Sequence, residues 1–229
     1  MFIASFAAGP WQTNCYVLAT SAGAECVVID PGMDAVDGVR ALVAEHHLKP
    51  VAVVLTHGHL DHTFSVTPLC AGNGATCWIH PDDRGLLTDP YAAMGPGTAD
   101  LVASLTGRPL TFAEPDDVRE LVDGSVVRVA GLELTALHAP GHTPGSTMFR
   151  SPYPAQPGID SVLLSGDVLF AGSVGRTDLP GGDPAAMTES LRRQVLPLPD
   201  AVAVLPGHGG QTTIGAERAT NPYLQEVAA

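Results

Sequence analysis

The chain is patterned as short apolar runs separated by turns rich in Gly, Pro, Asp and Asn. Nine apolar runs have the length and the Val, Ile and Leu content of β-strands: residues 2–6, 15–19, 26–29, 51–55, 76–79, 126–129, 132–137, 162–164 and 201–205. Several of them are continuous rather than alternating, which is typical of strands covered on both faces. Residues 35–47 and 184–196 have helical spacing, and Asp183 before Pro184 predicts an N-cap followed by a first helical turn. The pattern predicts an α/β fold.

The domain organisation follows from what interrupts this pattern. We find no repeat at a solenoid period and no low-complexity linker, so we expect one domain over residues 1–229. The least regular stretch, residues 88–115, contains seven Gly and Pro residues and is longer than most connections in compact domains. Such segments often act as lids or binding loops, although a variable surface loop is an equal alternative.

Composition and charge narrow the choice of partner and location. Hydrophobic residues make up 45% of the 229 residues, enough for a substantial core, and the formal net charge is −13. That charge repels phosphate backbones and anionic lipid headgroups, so neither a nucleic acid nor a membrane is an expected partner. No apolar run approaches the roughly 20 residues of a membrane span, and the first residues lack a basic region before their apolar run. We therefore expect a cytoplasmic protein, and its oligomeric state is left open.

The four cysteines do not form a recognisable pair. Their positions are scattered and include no Cys-x-x-Cys spacing: Cys15, Cys26, Cys70 and Cys77. We expect buried free thiols rather than disulfides or metal ligands.

The densest group of chemically active residues is Thr-His-Gly-His-Leu-Asp-His at residues 56–62. Its possible metal ligands are His57, His59, Asp61 and His62. Neutral imidazoles and carboxylates are the ligand set that suits zinc or iron. Without an ion, the same groups would desolvate and repel one another, so this segment indicates a metal site.

Three further candidate ligands follow apolar runs and are flanked by glycine. They are His142, Asp167 and His208. Ligands bind outside the carboxyl ends of strands in sheets covered by helices, and glycine lets the backbone turn sharply there. We therefore expect these side chains to converge with those of residues 56–62.

The remaining histidines fit other roles. His46 and His47 close a predicted helix, where a cation interacts favourably with the helix dipole. His80 precedes a polar turn, so we do not expect it to be a ligand. His138 lies nearer the predicted site but lacks an adjacent glycine, which favours a supporting or core role over ligation.

Together these segments resemble the metallo-β-lactamase superfamily. The segments that carry the resemblance span nearly the whole chain: residues 13–16, 28–32, 56–62, 139–143, 165–167 and 206–208. The resemblance implies a four-layer αββα sandwich, an α/β fold with its metals at one edge of the sheets.

The resemblance also implies a role for each candidate residue. His57, His59 and His142 would hold a first metal ion. A second ion would be held by Asp61, His62 and His208. Asp167 would bridge the two ions, and Asp30 would support the ligands without touching a metal. Two divalent ions are implied, with zinc expected and iron or manganese as alternatives.

Within the superfamily, the chain is most similar to short glyoxalase II-type hydrolases. The similarity lies in residues 166–170, 175–178, 206–208, 215–218 and 221–222. It implies a small-molecule thioester of glutathione or a related thiol as the substrate. Longer glyoxalase II enzymes place a lysine and a tyrosine where Arg176 and Asp178 stand. Arg176 can still bind a carboxylate, but Asp178 cannot replace a phenol donor at neutral pH.

Comparison with related enzymes leaves alternatives open. Class B β-lactamases of the commonest type carry cysteine at the position of Asp167 and arginine at that of His62, so antibiotic hydrolysis is disfavoured. Persulfide dioxygenases share the fold and a similar Gly-Arg-Thr-Asp segment, and hold a single iron through residues matching His57, His142 and Asp167. A metal-stabilised binding protein is the third interpretation. If the reaction is thioester hydrolysis, a metal-bound hydroxide is the expected nucleophile. Asp61 would orient this hydroxide or accept its proton.

Overall fold

The computed structural model describes residues 1–153 and 157–228. Two six-stranded sheets form the centre of this part of the chain. The first sheet contains, in spatial order, β1 (Phe2–Ala8), β2 (Thr13–Ala19), β3 (Glu25–Ile29), β4 (Lys49–Val54), β5 (Thr76–Ile79) and β6 (Val118–Glu120). The second contains β7 (Val126–Val129), β8 (Leu132–His138), β9 (Thr147–Pro152), β10 (Ser161–Gly166), β13 (Val202–Pro206) and β14 (Thr212–Thr213). A separate hairpin pairs β11 (Leu169–Phe170) with β12 (Ser173–Val174).

Helices cover both outer faces of this pair of sheets. The described helices are α1 (Ala35–His46), α2 (Leu60–Thr63), α3 (Val66–Asn73), α4 (Pro81–Arg84), α5 (Thr98–Thr106), α6 (Pro184–Ser190), α7 (Ile214–Thr220) and α8 (Pro222–Ala228). Helix α6 continues as a π-helical turn over Leu191–Val195. As expected, the Asp183 side chain caps α6 by accepting hydrogen bonds from two backbone N–H groups, and Pro184 occupies its first turn.

The core is layered because alternate residues of each central strand point to opposite faces. In β3, Val27 and Ile29 pack between the two sheets, whereas Val28 packs beneath the helices. In β10, Leu164 packs between the two sheets and Leu163 packs beneath the helices. Both faces of these strands are buried, which explains their continuous apolar sequences. The layers form the four-layer αββα sandwich expected from the sequence.

Strand direction places the carboxyl ends of several strands at one edge. In the first sheet β3, β4, β5 and β6 are parallel. In the second, β10 and β13 are parallel. Strand β8 runs in the same direction as β10, because both are antiparallel to β9 between them. The loops that follow β4, β8, β10 and β13 are those that carry the candidate ligands.

All nine predicted strands are present, and the described residues contain five others that the sequence pattern missed. The most important is β9, whose sequence Thr-Met-Phe-Arg-Ser-Pro lacks a long apolar run although it lies between β8 and β10. The other four have two or three residues each. Single-residue polar interruptions and very short pairings give little periodicity to detect.

The prediction of an irregular stretch at residues 88–115 was wrong over its central part. Helix α5 occupies Thr98–Thr106, between Gly97 and Gly107. Both glycines are left-handed, with φ of 84° and 74°, a conformation that costs glycine little and ends helices cleanly. The Gly and Pro residues therefore mark the two ends of a helix.

Two further sequence expectations can be compared with the structure. The four cysteines are buried free thiols, as predicted. Among the described residues, no helix combines the length and apolar character needed to cross a bilayer.

Replacing Phe149 with Ala should destabilise the protein by about 3–5 kcal/mol, because the side chain lies fully buried between the two sheets and its removal leaves a cavity. Urea unfolding followed by circular dichroism measures this change. Leu101→Ala is the control, since Leu101 is 50% exposed and its loss should change stability by at most about 0.5 kcal/mol. Equal unfolding midpoints for the two variants would contradict this account of the core.

Candidate metal centre

The seven predicted ligands come from four strand ends and converge at one edge of the sandwich. Residues 57–62 follow β4, and the other three ligands follow β8, β10 and β13. An isolated bridge between Thr13 and His208 ties the two sheets together at this edge. All of the candidate ligands therefore lie where the carboxyl ends of strands meet, as the sequence predicted.

The first group consists of His57, His59 and His142. One nitrogen from each ring lies within 4.8 Å of the others, and the Nδ1 of His59 is 2.8 Å from the Nε2 of His142. All three residues are at most 3% exposed. Three imidazole nitrogens at this spacing can share one cation.

The second group consists of Asp61, His62 and His208, whose ligand atoms meet the same 4.8 Å limit. The Nε2 of His208 is 3.2 Å from the Oδ2 of Asp61 and 3.3 Å from the Nε2 of His62. His62 is buried, whereas the other two residues are partly exposed. This group can hold a second cation on the solvent side of the cluster.

Asp167 lies between the two groups. Its Oδ1 is 3.4 Å from the Nε2 of His62, and its Oδ2 is 3.5 Å from the Nε2 of His142. A side chain at position 207 would place its Cβ 2.2 Å from Asp167 Oδ1, so Gly207 leaves the space that this carboxylate occupies. The same Oδ2 is also 3.5 Å from the Nε2 of His208. The carboxylate thus lies beside ligands of both groups, as a bridging ligand does.

Asp30 supports both groups from behind. Its Oδ1 accepts a hydrogen bond from the Thr56 backbone N–H at 2.8 Å. Its Oδ2 accepts one from the Thr56 hydroxyl at 2.6 Å and lies 3.0 Å from the Nδ1 of His62. The Asp30 backbone has φ of 48°, which is costly for a residue other than glycine and persists only where neighbouring contacts hold it.

These contacts fix which nitrogen of each ring carries the proton. The Thr56 hydroxyl donates its only hydrogen to Asp30, so at 3.0 Å it accepts from the Nδ1–H of His57. A carboxylate can only accept, so His62 donates from Nδ1 to Asp30. His142 donates from Nδ1 to the Arg176 carbonyl at 2.7 Å. In the neutral rings, the Nε2 lone pairs of all three therefore face the centre of the cluster.

Buried polar atoms without a hydrogen-bond partner indicate whether these residues fit a metal. Buried His57 Nε2 and Asp167 Oδ1 have no hydrogen-bond partner among the described residues. An unpartnered buried polar atom costs free energy, and both atoms point into the same cluster of lone pairs and carboxylates. The set of imidazoles and carboxylates suits zinc, iron or manganese. The histidine and aspartate clusters fit a dinuclear metal site.

Burial and mutual repulsion keep two of the imidazoles neutral. Burial lowers the pKa of His57 well below its usual value, and the nearby histidines lower it further. Burial and His142 together lower the pKa of His59 to about 3. Neutral imidazole is the form that binds a metal.

The carboxylates dominate the electrostatics of the second group. Burial acts to lower the pKa of His62, but Asp167, Asp61 and Asp30 outweigh it and raise the pKa to about 10. Burial acts to raise the pKa of Asp61, but His62 and His208 outweigh it and lower the pKa. The carboxylates thus favour a positive charge at this position, either a proton on His62 or a cation in its place.

A cavity of about 390 Å³ opens onto the cluster. Its wall includes ligands from both groups together with apolar residues that the sequence analysis did not identify: Trp11, Met94, Phe170 and Leu179. These lie in loops or at the ends of short elements, and no ligand-like chemistry marks them in the sequence. Met94 belongs to the 88–115 segment, for which a binding loop was one of two expectations.

Arg176 lines this cavity, but its guanidinium is engaged elsewhere. Its Nε and one terminal nitrogen each donate to an oxygen of Asp178 at 2.7 Å. The hydrogen bond from Arg176 lowers the pKa of Asp178 to about 2. Both side chains are more than 60% exposed, so a competing anion could displace Asp178.

His80 and His138 stack at 4.0 Å with their planes 8° apart. With Asp82 they form another group whose ligand-type atoms lie within 4.8 Å. Parallel rings direct their in-plane lone pairs side by side rather than toward one point. His138 also donates from Nε2 to the Pro144 carbonyl at 2.9 Å, so the geometry favours the supporting role predicted for it.

The fold and this site define the class of protein. A family model of the metallo-β-lactamase superfamily matches residues 8–208, and the chain belongs to that superfamily. An uncharacterised protein of Mycobacterium tuberculosis is 42% identical over 229 residues, covering 100% of both chains. The hydroxyacylglutathione hydrolase GloC of Haemophilus influenzae is 33% identical over 216 residues, covering 93% of both.

Solved structures show the same likeness. The BLEG-1 B3 metallo-β-lactamase superposes with a TM-score of 0.80 at 37% identity, covering 97% of this chain and 99% of that one. TTHA1623 in a di-iron-bound form superposes with a TM-score of 0.74 at 38% identity, covering 98% of this chain and 100% of that one. ETHE1 from Myxococcus xanthus superposes with a TM-score of 0.75 at 26% identity, covering 97% of this chain and 84% of that one.

Replacing Thr56 with Val should lower metal affinity about 10- to 100-fold, the usual effect of losing a hydrogen-bond partner behind metal ligands. Valine keeps the volume but leaves His57 Nδ1 without its acceptor. Competition with a chromogenic chelator measures the affinity. Thr56→Ser retains the hydroxyl and should bind metal within about threefold of the unmodified protein, provided that the hydroxyl is what matters. Equal affinity in the Val variant would refute the tautomer argument.

Proposed function

We propose that the protein is a metal-dependent hydrolase that cleaves a thioester of glutathione or a related thiol. The observation that carries this proposal is the position of Asp167, whose carboxylate lies within 3.5 Å of ligands from both groups. A structural zinc site has four protein ligands and no open position, and it needs no bridging carboxylate. A site built for two ions beside an open cavity therefore supports catalysis over metal-stabilised binding.

The bound ions would supply a water activated near neutral pH and an electrophile for a carbonyl group. We assign His57, His59 and His142 to the first ion, Asp61, His62 and His208 to the second, and Asp167 to both. Zinc is our first choice, and the di-iron form of TTHA1623 supports iron as the alternative. Asp61 accepts a hydrogen bond from the Thr13 hydroxyl at 3.2 Å, which holds its carboxylate at the cavity wall. We assign to Asp61 the orientation of the water or the acceptance of its proton.

The cavities support a substrate with two parts. The metal cavity has an apolar wall suited to an acyl group. A neighbouring cavity of about 620 Å³ is lined by Arg176 and by parts of α6 and α8. Arg176 lines both cavities, so a thiol carrier could extend into the second one while its thioester lies near the ligands. The similarity to GloC of Haemophilus influenzae supports a glutathione thioester as the first candidate.

A mononuclear iron persulfide dioxygenase of the same fold is the alternative. The specific observation in its favour is that the Arg176 carbonyl, part of the Gly-Arg-Thr-Asp segment, fixes the ring of His142. His57 and Asp167, the other two ligands of that alternative, lie in the same cluster. The ETHE1 likeness supports keeping this candidate.

The two candidates differ in measurable ways, so one experiment separates them. Metal analysis of the purified protein should find two ions per chain, and a panel of S-acyl glutathiones, glutathione persulfide and β-lactams should show thioester cleavage only. One iron per chain with oxygen uptake would favour the dioxygenase. The likeness to BLEG-1 makes the β-lactam essential in this panel, and its cleavage would overturn the expectation that antibiotic hydrolysis is disfavoured.

Replacing Asp167 with Ala should abolish turnover and lower the metal content, since both groups lose their shared carboxylate. Atomic absorption and a thioester assay measure the two effects. Replacing the exposed Asp160 with Ala is the control and should change neither. Full turnover by the Asp167 variant would refute the bridging role.

Replacing Arg176 with Ala should raise KM for an anionic thioester about fivefold, because an exposed charge pair contributes at most about 1 kcal/mol. The value of kcat should change little. Arg193→Ala is the matched control, since Arg193 lines a different cavity beside α6. An unchanged KM for the Arg176 variant would remove this residue from the substrate site.

A further inference from the structure

Asp83 is a buried carboxylate that the proposed chemistry does not use. It lies in the short helix α4 and has no exposed surface. Its Oδ2 accepts hydrogen bonds from the Gly58 backbone N–H at 2.8 Å and from the Thr143 hydroxyl at 2.7 Å. Its Oδ1 accepts one from the Gly145 backbone N–H at 2.7 Å. A buried carboxylate is costly unless it is hydrogen-bonded, so these three donors account for its presence.

The donors belong to the two loops that carry the first group of ligands. Gly58 stands between His57 and His59 in the chain, and Thr143 follows His142. The rings of His59 and His142 also meet across these loops, but the Asp83 carboxylate binds the backbone of both loops. Asp83 therefore links loops that are separated by more than 80 residues, and each of its hydrogen bonds is made beside ligands of the first group.

The backbone is shaped to allow this approach. A Cβ at position 145 would lie 2.5 Å from the Cγ of Asp83, and one at position 58 would lie 2.9 Å from its carbonyl oxygen and 2.7 Å from Leu86. Glycine at both positions leaves the space for α4 to approach the loops. The glycine of the His-Gly-His segment is thus required by packing against α4.

Helix α4 is itself held from both sides. The Arg84 guanidinium donates to both oxygens of Glu114 at 3.0 and 2.9 Å and to Glu120 at 2.9 Å. At the other end, the His80 ring accepts from the Asp82 backbone N–H at 3.3 Å and stacks on His138. Asp83 therefore projects from a turn that is fixed on both sides.

We propose that Asp83 is a positioning residue for the metal centre. Its carboxylate holds the loops of residues 57–59 and 142–145 at the separation that brings His57, His59 and His142 to one cation. This role rests on the metal centre of the proposed function, but it does not depend on which substrate is cleaved.

The test measures zinc affinity at each group separately. His208→Ala removes a ligand of the second group and leaves the first intact, whereas His59→Ala does the reverse. In each background Asp83 is replaced by Asn, whose amide nitrogen cannot accept from the donors that face it. Zinc competition with a chelator should show a 10- to 100-fold loss in the His208→Ala background. The loss in the His59→Ala background should be less than about threefold, because Asp83 makes no hydrogen bond to Asp61, His62 or His208.

Equal losses in both backgrounds would mean that Asp83 only stabilises the fold, and no loss in either would also overturn the proposal. Asp82→Asn is the matched control, since its side chain is 58% exposed, and it should leave both affinities unchanged. If Asp83→Asn does not fold, Thr143→Val removes a single donor and Thr143→Ser restores it. Equal zinc affinity in those two variants would then refute the role.

This design separates the proposal from the proposed function. Two zinc ions bound without thioester cleavage would overturn the proposed function and leave the role of Asp83 to be decided by the affinities. Thioester cleavage with identical zinc affinities in the Asp83 variants would support the proposed function and overturn the role of Asp83.

Discussion

The packing of five imidazoles and two carboxylates into one largely buried cluster is the constraint on which the rest of this structure depends. Each group alone would shift its pKa or stay in water, because the low-dielectric interior disfavours charge. Here the second group of ligands already favours a positive charge, and the first presents neutral nitrogens. The cluster therefore has the charge and the lone pairs that fit a pair of cations. Its partners in the surrounding shell, above all Asp30 and Asp83, hold it in that state.

These two buried carboxylates divide the support of the cluster. Asp30 reaches His62 directly and His57 through Thr56, so it connects one ligand of each group. Asp83 reaches the backbone and hydroxyl groups of the loops and touches no ligand ring. One carboxylate therefore fixes proton positions, and the other fixes loop positions. Both are needed because a metal constrains nitrogen direction and nitrogen separation independently.

The sequence predicted the parts of this molecule that are set by local chemistry. The nine strands, the cap at Asp183 and the convergence of the seven candidate ligands could be predicted, because apolar runs and histidines following strand ends leave clear patterns. Strand β9 and the supporting residues Thr56 and Asp83 could not. Strand β9 is formed by its neighbours rather than by its own periodicity, and Asp83 looks like an ordinary turn residue until α4 meets residues 143–145. The single-domain organisation, cytoplasmic location and substrate remain predictions.

Strand ends position the metal ligands, whereas residues outside the long strands form the cavity wall. This difference explains why the class of this protein is clearer than its substrate. The ligands stand at the ends of strands whose positions are set by the packing of both sheets, so their geometry is coupled to the stability of the whole fold. The cavity wall is made by Trp11, Met94, Phe170 and Leu179, which lie outside the long strands. These residues can change without disturbing the core, and the same metal site can then serve different substrates. Identity in the ligand set therefore supports a shared type of chemistry, whereas a shared substrate requires a similar cavity wall.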